Sequence, residues 1–337
     1  MPSRDLDRAE AAALRDIIRV GSRSFHAAGR LLPRRVREAA FALYAFCRDC
    51  DDLIDEHGAD GASKRINDLH RRLDEAYRGA PRDTVVDRAF AQTVNAYDIP
   101  RSLPEALIEG LSWDVDGRRY ATLDDLHDYA ARVAGTVGAM MTVVMGVRSP
   151  QALSRATDLG AAMQLTNIAR DVGDDARNGR IYLPLDWLED AGVAPNAFLA
   201  NPQPTYEIRS IVARLLDEAD RLYDRGLAGV FVLPAMCRPA ITSAALVYAD
   251  IGRKIRARGC DSVTSRAIVS KSRKLALLTQ AAATLHIQLE RLDAPPLSAN
   301  RFLVKAVSGV SAPSPTLTPI KAGFLDAAPR GRRAAPG

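Results

Sequence analysis

Two short clusters of aspartate residues, each inside a stretch with helical periodicity, constrain this 337-residue chain more than any other feature. The first cluster contains Asp51 and Asp55, and the second contains Asp171 and Asp175. Residues four positions apart in an α-helix point the same way, so each cluster presents two carboxylates on one face. Like charges at this spacing destabilise a helix unless something compensates them. We therefore expect the two helices to face one another and to share divalent cations, with an anionic ligand completing the coordination.

Side chains beside the first cluster indicate what that ligand is. Arg48 lies three residues before Asp51, and Tyr44 lies one turn before Arg48, so both share the face of the carboxylates. A guanidinium group can hold a diphosphate through two parallel hydrogen bonds, and Mg2+ bridges carboxylates to phosphate oxygens. The alternative is an ordinary solvated end of a helix. Neighbours such as Phe41 and Phe46 favour a buried helix instead, in which unpaired carboxylates would be costly.

The second cluster belongs to a longer polar stripe. Four side chains follow one another at helical spacing: Gln164, Asn167, Asp171 and Asp175. The stripe offers amide oxygens and two carboxylates, while apolar residues on the neighbouring faces indicate burial. Residues 178–184, which follow, are predicted to form a loop that folds over the site. Arg180 and Tyr182 in this loop are then expected to reach phosphate oxygens.

Helical periodicity dominates the remaining chain, and strand patterns are nearly absent. Turn-forming residues separate the helical stretches. The predicted helices cover residues 34–56, 66–77, 85–96, 123–147, 151–175, 208–228, 238–257 and 265–292. From residue 295 the composition changes to Pro, Ser, Ala, Thr and Arg with little periodicity, which is typical of disorder. We therefore expect one all-α domain over residues 1–294 and a disordered tail over residues 295–337.

The formal net charge of +5 does not indicate a nucleic-acid-binding protein. Of the 46 Lys and Arg residues and the 41 Asp and Glu residues, six basic and one acidic residue lie after residue 300, so the first 300 residues carry no net charge. A nucleic-acid-binding domain more often has a basic face on its folded part. The basic tail is instead expected either to attract anionic lipid, at about 1 kcal/mol per Lys or Arg, or to keep the protein soluble.

Four cysteines are too few and too scattered for a disulfide framework. Cys47 and Cys50 form a C-x-x-C pair without a second pair at metal-ligand spacing, so we expect small buried residues. This usage is typical of a reducing cytoplasm. The N-terminus lacks the apolar core of a signal peptide, and the longest uncharged run, residues 134–147, is shorter than the roughly 20 residues of a membrane span. We therefore expect a cytoplasmic protein.

Taken together, the sequence patterns around the two clusters resemble those of the squalene/phytoene synthase family. The resemblance rests on two long spaced patterns, Arg48-x-x-Asp51-Asp52-x-x-Asp55 and Gln164-Leu165-Thr166-Asn167-Ile168-x-Arg170-Asp171-x-x-x-Asp175. It extends to residues 21–25, 133–138 and 179–184, and so covers nearly everything before the tail. Among family members, bacterial phytoene synthases are the most similar. The resemblance implies an all-α isoprenoid (terpenoid) synthase fold, a helical bundle around a central active-site cavity.

The resemblance also implies roles for individual residues. The implied magnesium ligands are Asp51, Asp55, Asn167, Asp171 and Asp175. The positions that match diphosphate contacts are Arg48, Arg170, Tyr182 and Arg266, and those that match the reaction region are Ser22, Phe25 and Gln164. Tyr44, Arg180 and Tyr248 complete the expected substrate site. Arg48, the four motif aspartates and Tyr182 form the expected catalytic set. A plain core role for Phe25 and a packing role for Tyr248 stay as alternatives.

Family membership implies a reaction in which two geranylgeranyl diphosphates are joined head to head. The expected product is phytoene, formed through a cyclopropyl diphosphate with Mg2+ as cofactor, Mn2+ as a substitute and no nicotinamide. One alternative is a squalene-type synthase that joins two farnesyl diphosphates, and a more remote one is an inactive scaffold protein. Because substrate and product are both oily, peripheral contact with the inner face of a membrane is also expected.

Overall fold

Helices form almost all of the regular structure, as the periodicity predicts. The computed structural model describes residues 8–55, 61–283 and 291–309, and this part of the chain contains no β-strand. The helices of the first half are α1 (Arg8–Gly21), α2 (Arg23–Gly29), α3 (Arg34–Asp55), α4 (Ala62–Tyr77), α5 (Val85–Ala96), α6 (Ser102–Val115), α7 (Leu123–Ala130) and α8 (Thr136–Val144). Those of the second half are α9 (Pro150–Arg177), α10 (Leu185–Asp190), α11 (Pro195–Ala200), α12 (Tyr206–Ala228), α13 (Arg238–Ala257), α14 (Lys271–Ala283) and α15 (Arg301–Ser308).

Helix α9 lies at the centre of the bundle. It packs against α8, α12, α13 and α15, and sixteen of its side chains are buried. Helix α3 packs against α1, α5, α6 and α8 on the other side of the bundle. The two helices that carry the aspartate clusters therefore each belong to the core, and the clusters lie at their C-terminal ends.

The predicted helix over residues 123–147 is interrupted by a π-helical segment, Ala131–Gly135, between α7 and α8. Gly138 on α8 lies against the backbone carbonyl of Ala156, and Gly160 on α9 lies against the carbonyl of Ala134. A Cβ atom at either glycine would overlap that carbonyl, so both glycines permit close approach of the two helices. Single π-turns inside α-helices occur frequently at functional sites.

Several helices were not predicted from the sequence. Helix α6 is buried over seven of its fourteen residues and is apolar on several faces, so it has little helical periodicity to detect. Helices α2, α10 and α11 have only six or seven residues, which is too short for a periodic pattern. Helix α1 has only two buried residues among many charges.

The predicted helix over residues 265–292 begins only at α14. The segment before it starts with a turn, in which the carboxylate of Asp261 accepts hydrogen bonds from the backbone N–H groups of Val263 and Thr264. An aspartate that bonds the backbone two residues on forms a turn that competes with helix. Residues 261–270 are therefore a loop, and residues 284–290 lie outside the described residues.

The predicted domain boundary at residue 294 is wrong. A 3-10 turn, Ser298–Asn300, and helix α15 pack back onto the bundle, and Leu303, Val304 and Val307 are buried there. The change in composition at residue 295 marks a turn before a short amphipathic helix. The folded domain thus continues to at least residue 309, and the rest of the predicted tail lies outside the described residues.

A buried ion network holds this C-terminal segment. The carboxylate of Asp158 and the guanidinium group of Arg155 lie 3.0 Å apart and are both fully buried. Arg225 donates to the same carboxylate at 2.9 Å, and Asn300 donates to its other oxygen at 3.2 Å. Both arginines also donate to the backbone carbonyl of Pro295. The network therefore ties the segment after α14 to helices α9 and α12.

No helix within the described ranges is both long and apolar enough to cross a lipid bilayer.

Replacement of Asp158 by Ala is expected to destabilise the fold strongly, because two guanidinium groups would stay buried without their carboxylate. We expect a loss of about 3–5 kcal/mol in the free energy of unfolding, measured by denaturant titration with circular dichroism. The control is Asp16→Ala, which removes one partner of an exposed ion pair with Arg19 on α1. This control should unfold like the wild type. Equal stability of both variants would contradict the structural role of the network.

Candidate active site

A cavity of about 610 Å3 lies between α3 and α9 and is walled further by α2, α8 and α13. On α9 the lining residues follow one helical stripe from Ala152 to Asp175, and on α3 they run from Ala40 to Asp51. Both stripes begin with apolar side chains at the helix N-termini and finish with aspartates at the C-termini. One end of the cavity is therefore acidic, and the opposite end is apolar.

Most of the residues singled out in the sequence line this cavity. They are Phe25, Tyr44, Arg48, Asp51, Gln164, Asn167, Arg170, Asp171, Asp175, Tyr182, Tyr248 and Arg266. Ser22 lies just outside the lining, where it caps α2 and hydrogen-bonds with Tyr248. Arg180 lies close enough to Asp175 to affect the pKa of that carboxyl. Asp55 is the last residue of α3, and its side chain lies outside what the structure describes.

In the first cluster, Arg48 forms ion pairs with two neighbouring carboxylates. The guanidinium group of Arg48 lies 2.5 Å from the carboxylate of Asp52 and 3.4 Å from that of Asp51. These three side chains are each a little over 40% exposed, so they border the mouth of the acidic end. Cys47 lines the cavity beside them, and burial raises the pKa of its thiol to about 12. Both thiols are free, and Cys50 is fully buried as predicted, whereas Cys47 is half-buried in the cavity wall.

In the second cluster, Asp171 is held between two arginines. Arg170 donates from Nε and Nη2 to the two carboxylate oxygens at 2.8 and 2.5 Å. Arg266, from the loop after α13, contacts the same oxygens at 2.6 and 2.8 Å. This loop is held by the turn at Asp261, so the absence of helix there is what brings Arg266 to the site. Two forked guanidinium groups thus converge at the acidic end.

The remaining polar atoms of the stripe fit a bound cation. The Oδ1 atom of Asn167 is buried and has no hydrogen-bond partner among the described residues. Burial and the nearby charge of Asp171 raise the pKa of Asp175 to about 7. A bound cation would accept the lone pair of the amide oxygen and would favour the ionised form of the carboxyl, so it would satisfy both groups. In the part of the chain that the structure describes, no three His, Cys, Asp or Glu side chains form a metal site by themselves. The donor set therefore fits Mg2+ shared with an anionic ligand.

A carboxylate that the sequence did not reveal also faces this end. Asp114, at the end of α6, accepts hydrogen bonds from the hydroxyl groups of Tyr129 at 2.8 Å and Tyr182 at 2.7 Å. The two tyrosine rings stack with centroids 5.3 Å apart. The hydroxyl of Tyr182 was expected to reach phosphate, but the structure shows it bonded to Asp114. The only signal in the sequence was an aspartate after an apolar run, in a helix that had not been recognised.

Aromatic rings cover the middle of the cavity. The rings of Phe25 and Tyr248 stack with centroids 5.0 Å apart, and Tyr44 lies 6.2 Å from Phe25. Phe25 packs against both large apolar clusters of the bundle and also lines the cavity. The packing alternatives for Phe25 and Tyr248 are thus compatible with a place in the site, because each ring packs in the apolar core and also lines the cavity.

An all-α bundle that brings aspartates from two long helices to one end of an apolar cavity belongs to the isoprenoid synthase class. The structure superimposes on a crystal structure of a dehydrosqualene synthase in complex with ligand with a TM-score of 0.75 at 31% identity, covering 82% of this chain and 96% of that one. The squalene/phytoene synthase family model matches residues 18–273. The chain belongs to the squalene/phytoene synthase family, and the predictions of family and fold are confirmed.

Two bacterial relatives are similar over most of their length. The chain is 54% identical to a phytoene synthase of Rhodobacter capsulatus over 276 residues, which is 81% of each chain. It is 53% identical to a phytoene synthase of Cereibacter sphaeroides over 284 residues, which is 82% of this chain and 79% of that one. The similarity thus extends well beyond the two aspartate patterns.

The raised pKa of Asp175 gives a testable dependence of stability on pH in metal-free protein. The folded state keeps its proton up to about pH 7, whereas the unfolded state loses it near pH 4, so stability falls as pH rises between these values. The slope is at most about 1.4 kcal/mol per pH unit. Asp175→Asn should therefore be more stable than the wild type near pH 8, and the two should converge near pH 4.

Denaturant titrations in chelator at several pH values measure this difference. Asp174→Asn changes an exposed carboxylate of the same cluster that pairs with Arg177, and it should keep the pH slope caused by Asp175. If Asp175→Asn is no more stable than the wild type at high pH, the proposed burial of this carboxyl near Asp171 is wrong.

Proposed function

We propose that this enzyme is a magnesium-dependent phytoene synthase that joins two geranylgeranyl diphosphates head to head and releases diphosphate. The observation that carries the proposal is the meeting of both aspartate clusters at one end of a long apolar cavity. Identities of 53% and 54% to two bacterial phytoene synthases support the choice of product.

The acidic end provides the groups for a diphosphate and its cation. Asp51, Asn167, Asp171 and Asp175 would hold Mg2+, with Asp55 a further candidate. When bound, the metal supplies positive charge that stabilises the departing diphosphate. Arg48, Arg170 and Arg266 are paired with aspartates in this structure. Because guanidinium groups bind phosphate oxygens with the same forked geometry, these three can transfer their hydrogen bonds to an incoming diphosphate.

The proposed chemistry needs a dry cavity. The C–O bond of the first substrate breaks and diphosphate leaves, and the double bond of the second substrate attacks the resulting allylic cation. Loss of a proton gives a cyclopropyl diphosphate. A second ionisation, a rearrangement and loss of another proton then give phytoene, so no reductant is needed. The apolar walls keep water away from these cations, and the rings of Phe25, Tyr44 and Tyr248 offer π faces to them.

Binding of the hydrocarbon chains supplies the energy for ordering the substrates. Burial contributes about 0.8 kcal/mol per CH2 group, so two chains of roughly twenty carbons can offset the cost of orientation. Both substrate and product are oily, and we propose that the enzyme works at the inner surface of the membrane, where these molecules dissolve.

A second candidate is a synthase that joins two farnesyl diphosphates. It is favoured by the similarity of fold and sequence to a dehydrosqualene synthase. The lower identity of 31% to this protein, compared with 54% to a phytoene synthase, makes it the weaker choice.

The products formed from the two substrates distinguish these candidates. Purified protein is incubated with Mg2+ and either geranylgeranyl or farnesyl diphosphate, and the extracted hydrocarbons are analysed by chromatography and mass spectrometry. We expect phytoene from the longer substrate and little product from the shorter one. A preference for the farnesyl substrate would support the second candidate, and the absence of any coupled product from both would refute the proposed function.

Within the second cluster, Asp171 and Asp174 form a matched pair for mutagenesis. Asp171→Ala should lower kcat by at least about 100-fold, because it removes a carboxylate at the point where both arginines and the cation converge. Asp174→Ala should keep near-normal activity, because that side chain is exposed and forms an ion pair with Arg177 at the surface. Thermal unfolding checks that both variants fold. Full activity in Asp171→Ala would remove this residue from the proposed metal site.

A further inference from the structure

The apolar end of the cavity lies near the surface of the bundle. Leu32, Met145, Leu233 and Ala240 line this end and form a small buried cluster of their own. The cluster joins the turn after α2, the end of α8 and the turn before α13. These three connections therefore meet at the apolar end of the cavity.

Large apolar side chains are exposed on the outer side of this cluster. Leu31 precedes Leu32 and is 42% exposed, and Met236 precedes the buried Cys237 and is 71% exposed. Phe231, in the 3-10 turn after α12, is 38% exposed. Exposed apolar side chains are common singly, but a group that surrounds the apolar end of a cavity indicates contact with an apolar partner.

Arginines surround these apolar side chains. We define the docking face as Leu31, Phe231 and Met236 together with the arginines at positions 30, 34, 35, 37, 148 and 238. Arg238 lies with its guanidinium group 4.8 Å from the centre of the Phe231 ring and donates to the carbonyl of Leu233. Arg37 donates to the carbonyl of Arg30.

The remaining arginines of the docking face meet at the start of α3. Arg148 donates to the carbonyl of Tyr97, whose hydroxyl in turn donates to the carbonyl of Arg35. Two acidic residues lie here: Glu38, which forms an ion pair with Arg34, and Asp98, whose backbone carbonyl accepts a hydrogen bond from Arg148. The face therefore combines apolar side chains with a surplus of positive charge, which is the composition that attracts an anionic lipid surface.

The docking face is opposite the acidic end of the cavity. Helix α3 runs between the two ends, and its 22 residues span roughly 33 Å. A lipid surface at the docking face would therefore leave the diphosphate end in water. This polarity matches a substrate with one charged end and one long apolar end.

We propose that the docking face rests on an anionic bilayer and that hydrocarbon chains pass between the lipid and the apolar end of the cavity. The proposal rests on the proposed function, because it requires an oily substrate or product. Phe231, Met236 and Leu31 enter the headgroup region, and the arginines bind lipid phosphates. This assigns membrane contact to the folded domain, whereas the sequence offered lipid attraction by the basic tail as one of two alternatives.

Binding to vesicles tests the docking face without any substrate. Full-length protein is sedimented with phosphatidylcholine vesicles that contain or lack phosphatidylglycerol. One variant, Leu31→Ser/Met236→Ser, removes apolar contacts, and another, Arg30→Gln/Arg35→Gln, removes charge. We expect the wild type to bind the anionic vesicles preferentially. Both variants should bind at least about tenfold more weakly, since each arginine and each buried side chain contributes measurably at a lipid surface.

Two controls separate this face from other sources of lipid binding. Tyr206→Ser removes a side chain that is 82% exposed at the opposite end of α12 from Phe231, and it should bind like the wild type. Replacement of the tail residues Lys321, Arg330, Arg332 and Arg333 by Gln should leave most of the binding in place. The proposal is overturned if the wild type does not bind, if the docking-face variants bind normally, or if the tail variant alone loses binding.

Activity measurements keep this proposal separate from the proposed function. With substrate dissolved in detergent, the docking-face variants should form phytoene at the wild-type rate, because their side chains lie outside the cavity lining. With substrate supplied in vesicles, they should be at least about fivefold slower. Normal vesicle binding without any coupled product would refute the proposed function alone, and equal rates from vesicles in all variants would refute the docking face alone.

Discussion

The concentration of carboxylates at one end of a low-dielectric cavity is the constraint on which the structure depends. Asp51, Asp114, Asp171 and Asp175 all face this end, and they are compensated in three different ways. Arginines neutralise the first and third, tyrosine hydroxyls bond the second, and the fourth responds by a raised pKa. The helices that carry these like charges are buried in the core, which keeps the charges in place. The buried amide oxygen of Asn167 has no hydrogen-bond partner among the described residues, and the carboxyl of Asp175 is hard to ionise, so the protein alone does not satisfy all of these polar groups.

Glycines at the contact between α8 and α9 allow tight packing beside the open cavity. Gly138 lets α8, and Gly160 lets the π-helical segment before α8, approach the backbone of α9 directly. The π-helical turn beside this contact puts Val133 and Ala134 into the cavity wall. Closely packed helices on this side resist collapse, so the space between α3 and α9 can stay open. The two glycines, which also line the cavity, therefore help to set its shape.

The sequence predicted the parts of the site that lie on regular helices. Spacing by three and four residues, with apolar neighbours, predicted that Asp51, Asn167 and Asp171 share one site, and all three line the same cavity. It did not reveal Asp114, because α6 is buried on several faces and lacks periodicity. It also misjudged the C-terminal segment, whose fixed position comes from buried ionic contacts with Asp158 that are distant in sequence. Local patterns predict elements, whereas contacts between remote residues decide where irregular segments lie.

One end of the cavity suits a charged molecule and the other suits an apolar one. This favours separate exit routes for diphosphate and for the hydrocarbon product. A diphosphate is stable in water and is costly to move through an apolar channel. A hydrocarbon product is stable in lipid, and its transfer into water would lose about 0.8 kcal/mol per CH2 group. If both left by the acidic end, the hydrocarbon would have to pass charged arginines and aspartates. With a lipid-facing docking face, diphosphate leaves past Arg48 and hydrocarbon leaves past Leu32. Neither molecule then crosses the region that suits the other.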